Sequence, residues 1–347
     1  MGLSANIYKL LYRRWGRVTP LTEDGYTLLL MVPGDLPVFL KIAMDVCGRQ
    51  DPTHRVETFV LPDNHTPEFV RAYQHYKKDW PDTAIRVLPF GPVEQWAARR
   101  QNNPGLNNWL QLKTAVQNAL TRTALWHDAD LFIDDRAFLK DHYEQLRGRD
   151  LACLGVSPGW NKQFRELGCT HLAATWELMF DVAWARSFAP WRHRGHDGTF
   201  AGKPVLYDSL FYAQAHTDPA RVALNADAER KFVHFNYVIS SYRWFQRGLR
   251  NNGGPYEDKN FRLLLVRLLI DAYDDSGWPY EVPAVAELAR GLTDAKAPVT
   301  YVTETVRGQW AEFRGKFQGL LEGDLVDAAR KTKLADGIAP FDRALGV

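Results

Sequence analysis

The chain has 347 residues, of which 46% are hydrophobic and 24% are charged, and its formal net charge at pH 7 is +2. This composition is typical of a globular protein and excludes a largely disordered chain, while the near-balance of charge gives no electrostatic case for a nucleic-acid partner. The three cysteines, Cys47, Cys153 and Cys169, are widely spaced and form no Cys-x-x-Cys pair, which argues against a disulfide framework or a zinc site and fits a reducing compartment.

Residues 1–25 are predicted to form an N-terminal arm. Its segment 7–15 mixes apolar and basic side chains, a pattern typical both of a helix packed on a domain and of a segment lying on an anionic membrane. The start of the chain lacks the apolar core of a signal peptide, and the most apolar later run, 261–270, is too short and too charged to span a bilayer. We therefore expect a soluble, cytoplasmic protein. Peripheral contact of the arm, through Arg13 and Arg14, with the inner face of the membrane stays open.

From residue 26 onward, strand-like and helix-like segments alternate. Strands are predicted over 26–32, 55–61, 84–90 and 123–133, and helices over 37–48, 67–79 and 106–122. Thr66 is expected to cap the second helix, which Pro67 begins. Turn residues Pro33, Gly34 and Asp35 follow the first strand, and Asp63 follows the second. The alternation predicts an α/β fold with a mostly parallel sheet, helices on both faces, and a ligand site at the carboxyl ends of the strands.

The most informative stretch is the run 123–133, TALWHDADLFI, in which Asp128 and Asp130 interrupt apolar residues. If the run is one buried strand, its period of two places both carboxylates on one side and His127 on the other. Two such carboxylates need a cation or strong donors between them, and oxygen ligands suit Mg²⁺ or Mn²⁺ together with a substrate's phosphates. The pattern predicts a divalent metal and a nucleoside diphosphate. The alternative is an Asp-x-Asp triplet that only opens a turn or caps a helix.

Beyond this motif the elements become more varied. A strand is predicted over 151–156, an amphipathic segment over 176–188, and a strand-like run over 231–237 that contains His234. Asp208 precedes a helix-like run and is suited to capping it, and a lone histidine between Val and Phe is ordinarily a core residue. The sequence NNGGP at 251–255 predicts a break in regular secondary structure, and with it the end of the preceding domain. The amphipathic helices predicted after it, over 260–272, 282–290 and 302–333, form a C-terminal extension (251–347) that acts as a lid or mediates oligomerisation.

On these residues, 26–250 resembles the GT-A fold of nucleotide-sugar-dependent glycosyltransferases, in which a Rossmann-like, mostly parallel half leads to an Asp-x-Asp motif after its fourth strand. The resemblance implies a nucleotide-binding half, 26–135, and an acceptor half, 136–250. It also implies a metal site at Asp128, Asp130 and His234, a donor pocket at Pro33, Gly34, Asp35, Asp63 and Asp128, an acceptor contact at Trp160 and a general base at Asp208. An imidazole ligand at His234 favours Mn²⁺ over Mg²⁺.

The activity that the resemblance implies is transfer of a sugar from a UDP- or GDP-linked donor to a hydroxyl of a glycan or glycolipid, as in polysaccharide biosynthesis. Inversion is favoured because Asp208 can take the acceptor's proton; in a retaining enzyme it would position the donor sugar. Family members often carry Glu-Asp or Asp-Asp where this chain has Tyr207-Asp208. Two alternatives stay open: a nucleotide- or glycan-binding module without turnover, and an Asp-dependent phosphohydrolase of the haloacid dehalogenase type. The latter places its motif on the first strand, whereas several β-α units precede Asp128 here.

Overall fold

The computed structural model describes residues 3–80, 84–101, 103–225, 227–228, 231–246, 262–301, 303–324 and 326–347. The strands are β1 (Glu23–Val32), β2 (Arg55–Pro62), β3 (Ile85–Val87), β4 (Thr121–Asp128), β5 (Leu131–Ile133), β6 (Cys153–Gly155), β7 (Leu178–Asp181), β8 (His196–Phe200), β9 (Lys203–Tyr207), β10 (Val222–Leu224) and β11 (Phe232–His234). The helices are α1 (Leu3–Leu11), α2 (Val38–Gly48), α3 (Pro67–Tyr76), α4 (Pro92–Gln101), α5 (Pro104–Asn118), α6 (Phe138–Gly148), α7 (Lys162–Glu166), α8 (Val182–Ser187), α9 (Phe211–Ala215), α10 (Val238–Gln246), α11 (Arg262–Tyr273), α12 (Val285–Arg290), α13 (Thr303–Glu322) and α14 (Ala328–Leu345).

Seven strands form one mostly parallel sheet in the order β10-β6-β7-β4-β1-β2-β3. Each neighbouring pair is parallel except for β7, which runs antiparallel to both β4 and β6. Two further antiparallel pairs, β5 with β11 and β8 with β9, lie outside this sheet. The predicted α/β architecture with a mostly parallel sheet and C-terminal helices is confirmed.

Both faces of the sheet are buried, and β1 shows how. Leu28 and Leu30 belong to a core cluster shared with α2, α3, α6 and helices α10 to α14. Leu29 and Met31, which point the other way, belong to a second cluster with α5 and α8. Because successive strand residues alternate between faces, an apolar run without alternation is typical of a strand covered on both sides. The C-terminal helices are therefore part of the main core.

The early elements follow their sequence signals closely. The hydroxyl oxygen of Thr66 accepts a hydrogen bond from the Phe69 amide (3.1 Å), and Pro67 is the first residue of α3, as expected at a helix start. A short 3₁₀ turn then extends the helical path to Asp79. The first two predicted β-α units are therefore confirmed.

Three predicted elements are wrong in part, and one helix was not predicted. The helix predicted over 106–122 ends at Asn118, and its last residues belong to β4. Helix α4 was not predicted, because only Ala97 and Ala98 of its residues are buried and it lacks an apolar stripe. The segment 176–188 contains β7 before α8, since a short apolar run suits a buried strand as well as a helix. The run 302–333 is divided between α13 and α14, where Asp327 caps the second helix.

The predicted break at 251–255 lies outside the described residues. None of the helices in the described ranges is long and apolar enough to span a bilayer.

Candidate active site

The two carboxylates lie where β4 ends. Asp128 is the last residue of β4, and Ala129 and Asp130 form a turn before β5 begins at Leu131. The prediction that 123–133 is one strand is therefore wrong, and the turn rather than a period of two sets the position of Asp130. The side chain of Asp128 is 35% exposed, whereas that of Asp130 is buried.

His234 joins the carboxylates because β11 pairs with β5. The pairing places His234 opposite Leu131, directly after the turn. Its Nε2 atom lies 3.2 Å from Asp130 Oδ1 and 3.6 Å from Asp128 Oδ2. One ligand atom from each of the three residues lies within 4.8 Å of the others. The three predicted metal-site residues are thus brought together from two distant parts of the chain.

The electrostatics of this group fit a divalent cation. Burial raises the pKa of Asp130, an effect that the hydrogen bond from His234 opposes and the nearby Asp128 charge adds to. Burial alone would lower the pKa of His234, but hydrogen bonds to both carboxylates outweigh it and raise that pKa. The face of the imidazole is covered by Trp176, with ring centroids 4.0 Å apart. Two carboxylates and an imidazole form a donor set suited to Mn²⁺, and a cation there would relieve the cost of burying Asp130.

A cavity of about 340 Å³ opens beside this group, at the carboxyl ends of β1, β2 and β4. This volume lies within the range of small-molecule sites. Six predicted residues line the cavity: Pro33, Asp63, Asp128, Asp130, Trp160 and Asp208. Gly34, Asp35 and His234 are not among the described residues that line it, although His234 contacts Asp128 and Asp130, which do. Predicted donor, metal and acceptor residues therefore share one cavity, while Gly34 and Asp35 lie behind its wall.

Gly34 has a structural reason to be glycine. Its amide donates to Asp63 Oδ1 at 3.0 Å, which ties the turn after β1 to the end of β2. A Cβ atom on residue 34 would lie 1.8 Å from the carbonyl oxygen of Asn64. The close approach of the two turns therefore excludes a side chain at this position.

Arg243 on α10 is the main site residue that the sequence did not reveal. Its buried guanidinium donates to Asp63 Oδ1 at 2.9 Å and to Asp35 Oδ1 at 2.6 Å. Burial would lower the pKa of Arg243, but the two carboxylates outweigh burial and raise it. Arg243 follows Tyr242 on an ordinary amphipathic helix, so nothing in the local pattern signals its partners. It also lines the cavity.

Asp208 is held by Trp160. The indole Nε1 of Trp160 donates to Asp208 Oδ2 at 2.8 Å, and the amide of Ser209 donates to Asp208 Oδ1 at 2.7 Å. Asp208 does not cap the following helix, because α9 begins at Phe211 with Leu210 at its N-cap position. The carboxylate therefore has no capping task and faces the cavity.

His127 lies away from the site, as expected. Its Nδ1 atom is 2.6 Å from Glu177 Oε2, and both side chains are fully buried. The pair links the residue before Asp128 to the residue after Trp176.

Comparisons with known proteins leave the function to be argued from this geometry. No protein family model and no curated protein matches the chain. Solved structures resemble it only distantly. The galactosyltransferase LgtC, solved with donor and acceptor sugar analogues, shares 12% identity over 49% of this chain at a TM-score of 0.37, and the chain spans 62% of its length.

Two further structures extend over most of the chain. S. aureus TarS 1-349 shares 11% identity, with 92% of this chain and 89% of that chain covered, at a TM-score of 0.39. The mannosyltransferase PcManGT from Pyrobaculum calidifontis, solved with GDP-Man and Mn²⁺, shares 13% identity, with 99% and 94% covered, at a TM-score of 0.38. At these identities and scores, the similarity does not define an activity.

Proposed function

We propose that the chain is a metal-dependent glycosyltransferase that moves a sugar from a UDP- or GDP-linked donor to a hydroxyl of a glycan or glycolipid. The observation that carries this proposal is the cluster of Asp128, Asp130 and His234, whose two carboxylates line a cavity that Asp208 also lines. A cluster of hard ligands beside an independent carboxylate suits a reaction with an anionic leaving group and a nucleophile that must lose a proton.

The donor's nucleoside would lie at the ends of β1 and β2, against Pro33 and Asp63, which line the cavity. Asp63 accepts hydrogen bonds from Gly34, Asn107 and Arg243, so most of its hydrogen-bonding capacity is already used. Its role is therefore mainly to shape the pocket. Gly34 and Asp35 act behind it, through the turn and through Arg243.

The proposed reaction uses two groups of residues in this cavity, the metal ligands and Asp208. Mn²⁺ or Mg²⁺ held by Asp128, Asp130 and His234 would supply positive charge opposite the diphosphate leaving group. The acceptor oxygen forms a bond to the anomeric carbon as the bond from that carbon to the diphosphate oxygen breaks. In the inverting reaction that we favour, Asp208 takes the proton of the acceptor hydroxyl, and the Trp160 hydrogen bond fixes the orientation of the carboxylate. If the reaction retains configuration, Asp208 positions the donor sugar instead. Trp160 offers an exposed ring to the acceptor.

The test is thermal stabilisation by UDP, GDP and other nucleoside diphosphates, with Mn²⁺, with Mg²⁺ and without metal. The wild type is compared with Asp130→Asn, which keeps the side chain's shape but weakens metal binding, and with Asp197→Asn on the exposed side of β8 as a control. A diphosphate at a hundred times its Kd should stabilise the folded protein by about 2.7 kcal/mol. The stabilisation should need metal, favour Mn²⁺, disappear in Asp130→Asn and persist in Asp197→Asn.

Two outcomes would contradict the proposal. If no diphosphate stabilises the folded wild type, the chain has no donor site of the proposed kind. Metal-dependent stabilisation without hydrolysis or transfer of any UDP- or GDP-linked sugar would indicate a binding module instead of an enzyme.

A further inference from the structure

Helix α1 lies beside helix α4, which the sequence did not predict, and packs against α5. The Tyr8 hydroxyl accepts from Gln101 Nε2 at 2.7 Å, and the hydroxyl of Tyr12, directly after α1, donates to Glu94 Oε1 at 3.1 Å. The two helices are antiparallel, because Tyr8 meets the end of α4 and Tyr12 meets its beginning. Tyr8 and Tyr12 both pack edge-on against the buried ring of Trp109 on α5. The two tyrosines of the arm therefore already have hydrogen-bond and ring partners on α4 and α5.

Both helices expose large apolar side chains. Ile7, Leu10 and Leu11 are exposed at spacings of three and four residues, which places them on one face of α1. Val93 and Trp96 are exposed three residues apart on α4, with Trp96 63% accessible. These residues are five of the ten large hydrophobic side chains that are exposed in the described part of the chain. Such a concentration in two neighbouring helices marks an interaction surface.

The charges around this surface have one sign. The segment 7–17 carries Lys9, Arg13, Arg14 and Arg17 and contains no Asp or Glu. Helix α4 adds exposed Arg99 and Arg100, and the Arg100 guanidinium lies 5.7 Å from the Trp96 ring centroid. The single acid of α4, Glu94, is engaged by Lys113 at 2.9 Å. A partner that is both apolar and anionic would complement this surface.

We propose that α1 and α4 form a docking surface for the anionic leaflet of a lipid bilayer. The exposed leucines, isoleucine, valine and tryptophan enter the boundary between headgroups and acyl chains, and the arginines contact lipid phosphates. A second copy of the chain fits less well, because a two-fold symmetric interface pairs a patch with itself and would bring these arginines together.

The docking surface adjoins the candidate active site. Helix α4 ends at Gln101, and Pro104, at the start of α5, already lines the cavity. A lipid-anchored acceptor would then share a membrane with the enzyme, a consequence that rests on the proposed function. The docking itself does not, and it is tested without any sugar.

The experiment is sedimentation of the full chain with vesicles of phosphatidylcholine alone or mixed with phosphatidylglycerol, at low and high salt. One variant carries Leu10→Ser and Leu11→Ser, a second carries Trp96→Ser, and a third carries Arg13→Glu and Arg14→Glu. The control carries Lys331→Glu and Lys333→Glu, which makes the same change of charge on α14. All these side chains are at least partly exposed, and unchanged thermal stability would show that the variants fold.

We expect binding that requires phosphatidylglycerol and weakens with salt. Because each basic residue contributes about fivefold, the variant with Arg13→Glu and Arg14→Glu should bind at least about 25-fold more weakly. The paired leucine variant should weaken binding at least about tenfold and Trp96→Ser should also weaken it, while the α14 control binds as the wild type does. Absence of binding to either vesicle, or equal binding of wild type and variants, would overturn the proposal. So would concentration-dependent dimerisation in the absence of lipid that the leucine variant abolishes, since the surface would then be an interface between copies.

Discussion

Arg243 connects the turn after β1 to the end of β2 at one side of the cavity. Its guanidinium is buried and neutralises two carboxylates, Asp35 at the turn after β1 and Asp63 at the end of β2. Asp63 is 4% exposed, so water cannot replace the guanidinium around it. A buried ion pair adds little net stability when it is formed, but removing one partner leaves an uncompensated charge. Arg243 therefore fixes the shape of this side of the cavity, and its loss should strongly destabilise the folded protein.

Arg243→Met should lower the free energy of unfolding by about 3–5 kcal/mol, because Asp63 would stay buried without a counterion. Urea titration measures the change. Arg267→Met is the matched control, since Arg267 pairs with Asp271 on the partly exposed side of α11 and such a pair contributes only about 0–1 kcal/mol. Equal, small effects of both substitutions would mean that Arg243 does not hold the carboxylates.

Among the secondary-structure elements, α6 and β6 are joined by one buried histidine. His142 Nε2 donates to the carbonyl oxygen of Leu154 at 3.0 Å, and Asn225 Nδ2 donates to His142 Nδ1 at 3.2 Å. These two hydrogen bonds need the neutral ring, with its proton on Nε2. Burial lowers the pKa of His142 to about 4, against a small opposing effect of the Leu154 carbonyl. The contact between helix and sheet therefore requires an uncharged imidazole.

Stability should decrease as the pH falls from about 6.5 to 4. The unfolded histidine takes up a proton near pH 6.5, whereas the folded one does so only near 4, so protons favour the unfolded state in this interval. The contribution of His142 is complete above pH 6.5, and its slope is at most about 1.4 kcal/mol per pH unit. Buried His193, with a pKa of about 4, acts in the same direction.

Urea midpoints measured across this pH interval check the expectation. His142→Asn should reduce the slope, while His216→Asn, at an exposed position, should leave it unchanged. An identical slope in the wild type and in His142→Asn would show that His142 is not held neutral.

For the whole molecule, the main consequence is that the C-terminal helices and the sheet share one core. Leu334 of α14 and Phe317 of α13 are fully buried in the same cluster as Leu28 and Leu30 of β1. We propose that the helices within 251–347 fold together with the central sheet and do not form an independent domain.

Leu334→Ala should lower the free energy of unfolding by about 2–5 kcal/mol and shift a single unfolding transition, because the cavity it leaves lies in the shared core. Circular dichroism and tryptophan fluorescence, followed in urea, should give coincident curves. Lys333→Ala, next to it but exposed, should change stability by less than about 0.5 kcal/mol. Separate transitions for the two probes would show that the C-terminal helices unfold on their own.

The sequence by itself determined the elements whose signals are local. Runs of apolar residues predicted β1 and β2, and Thr66 with Pro67 predicted the start of α3, because each depends on neighbours within a few residues. The same reasoning found Asp128 and Asp130, since an acid after a buried strand is visible without knowing the fold. It could not find α4, whose residues carry no apolar stripe, or tell that β7 is a strand.

Only the tertiary structure decided which residues meet. His234 lies 104 residues from Asp130, and Arg243 lies 180 residues from Asp63, so strand and helix packing alone sets their contacts. Even the Asp128 and Asp130 pair depends on a turn that the strand pattern did not predict. The apolar surface of α1 gained its neighbour, α4, in the same way. Local pattern determines which side of an element is buried, whereas pairing between distant elements is chosen by the packing of the whole chain.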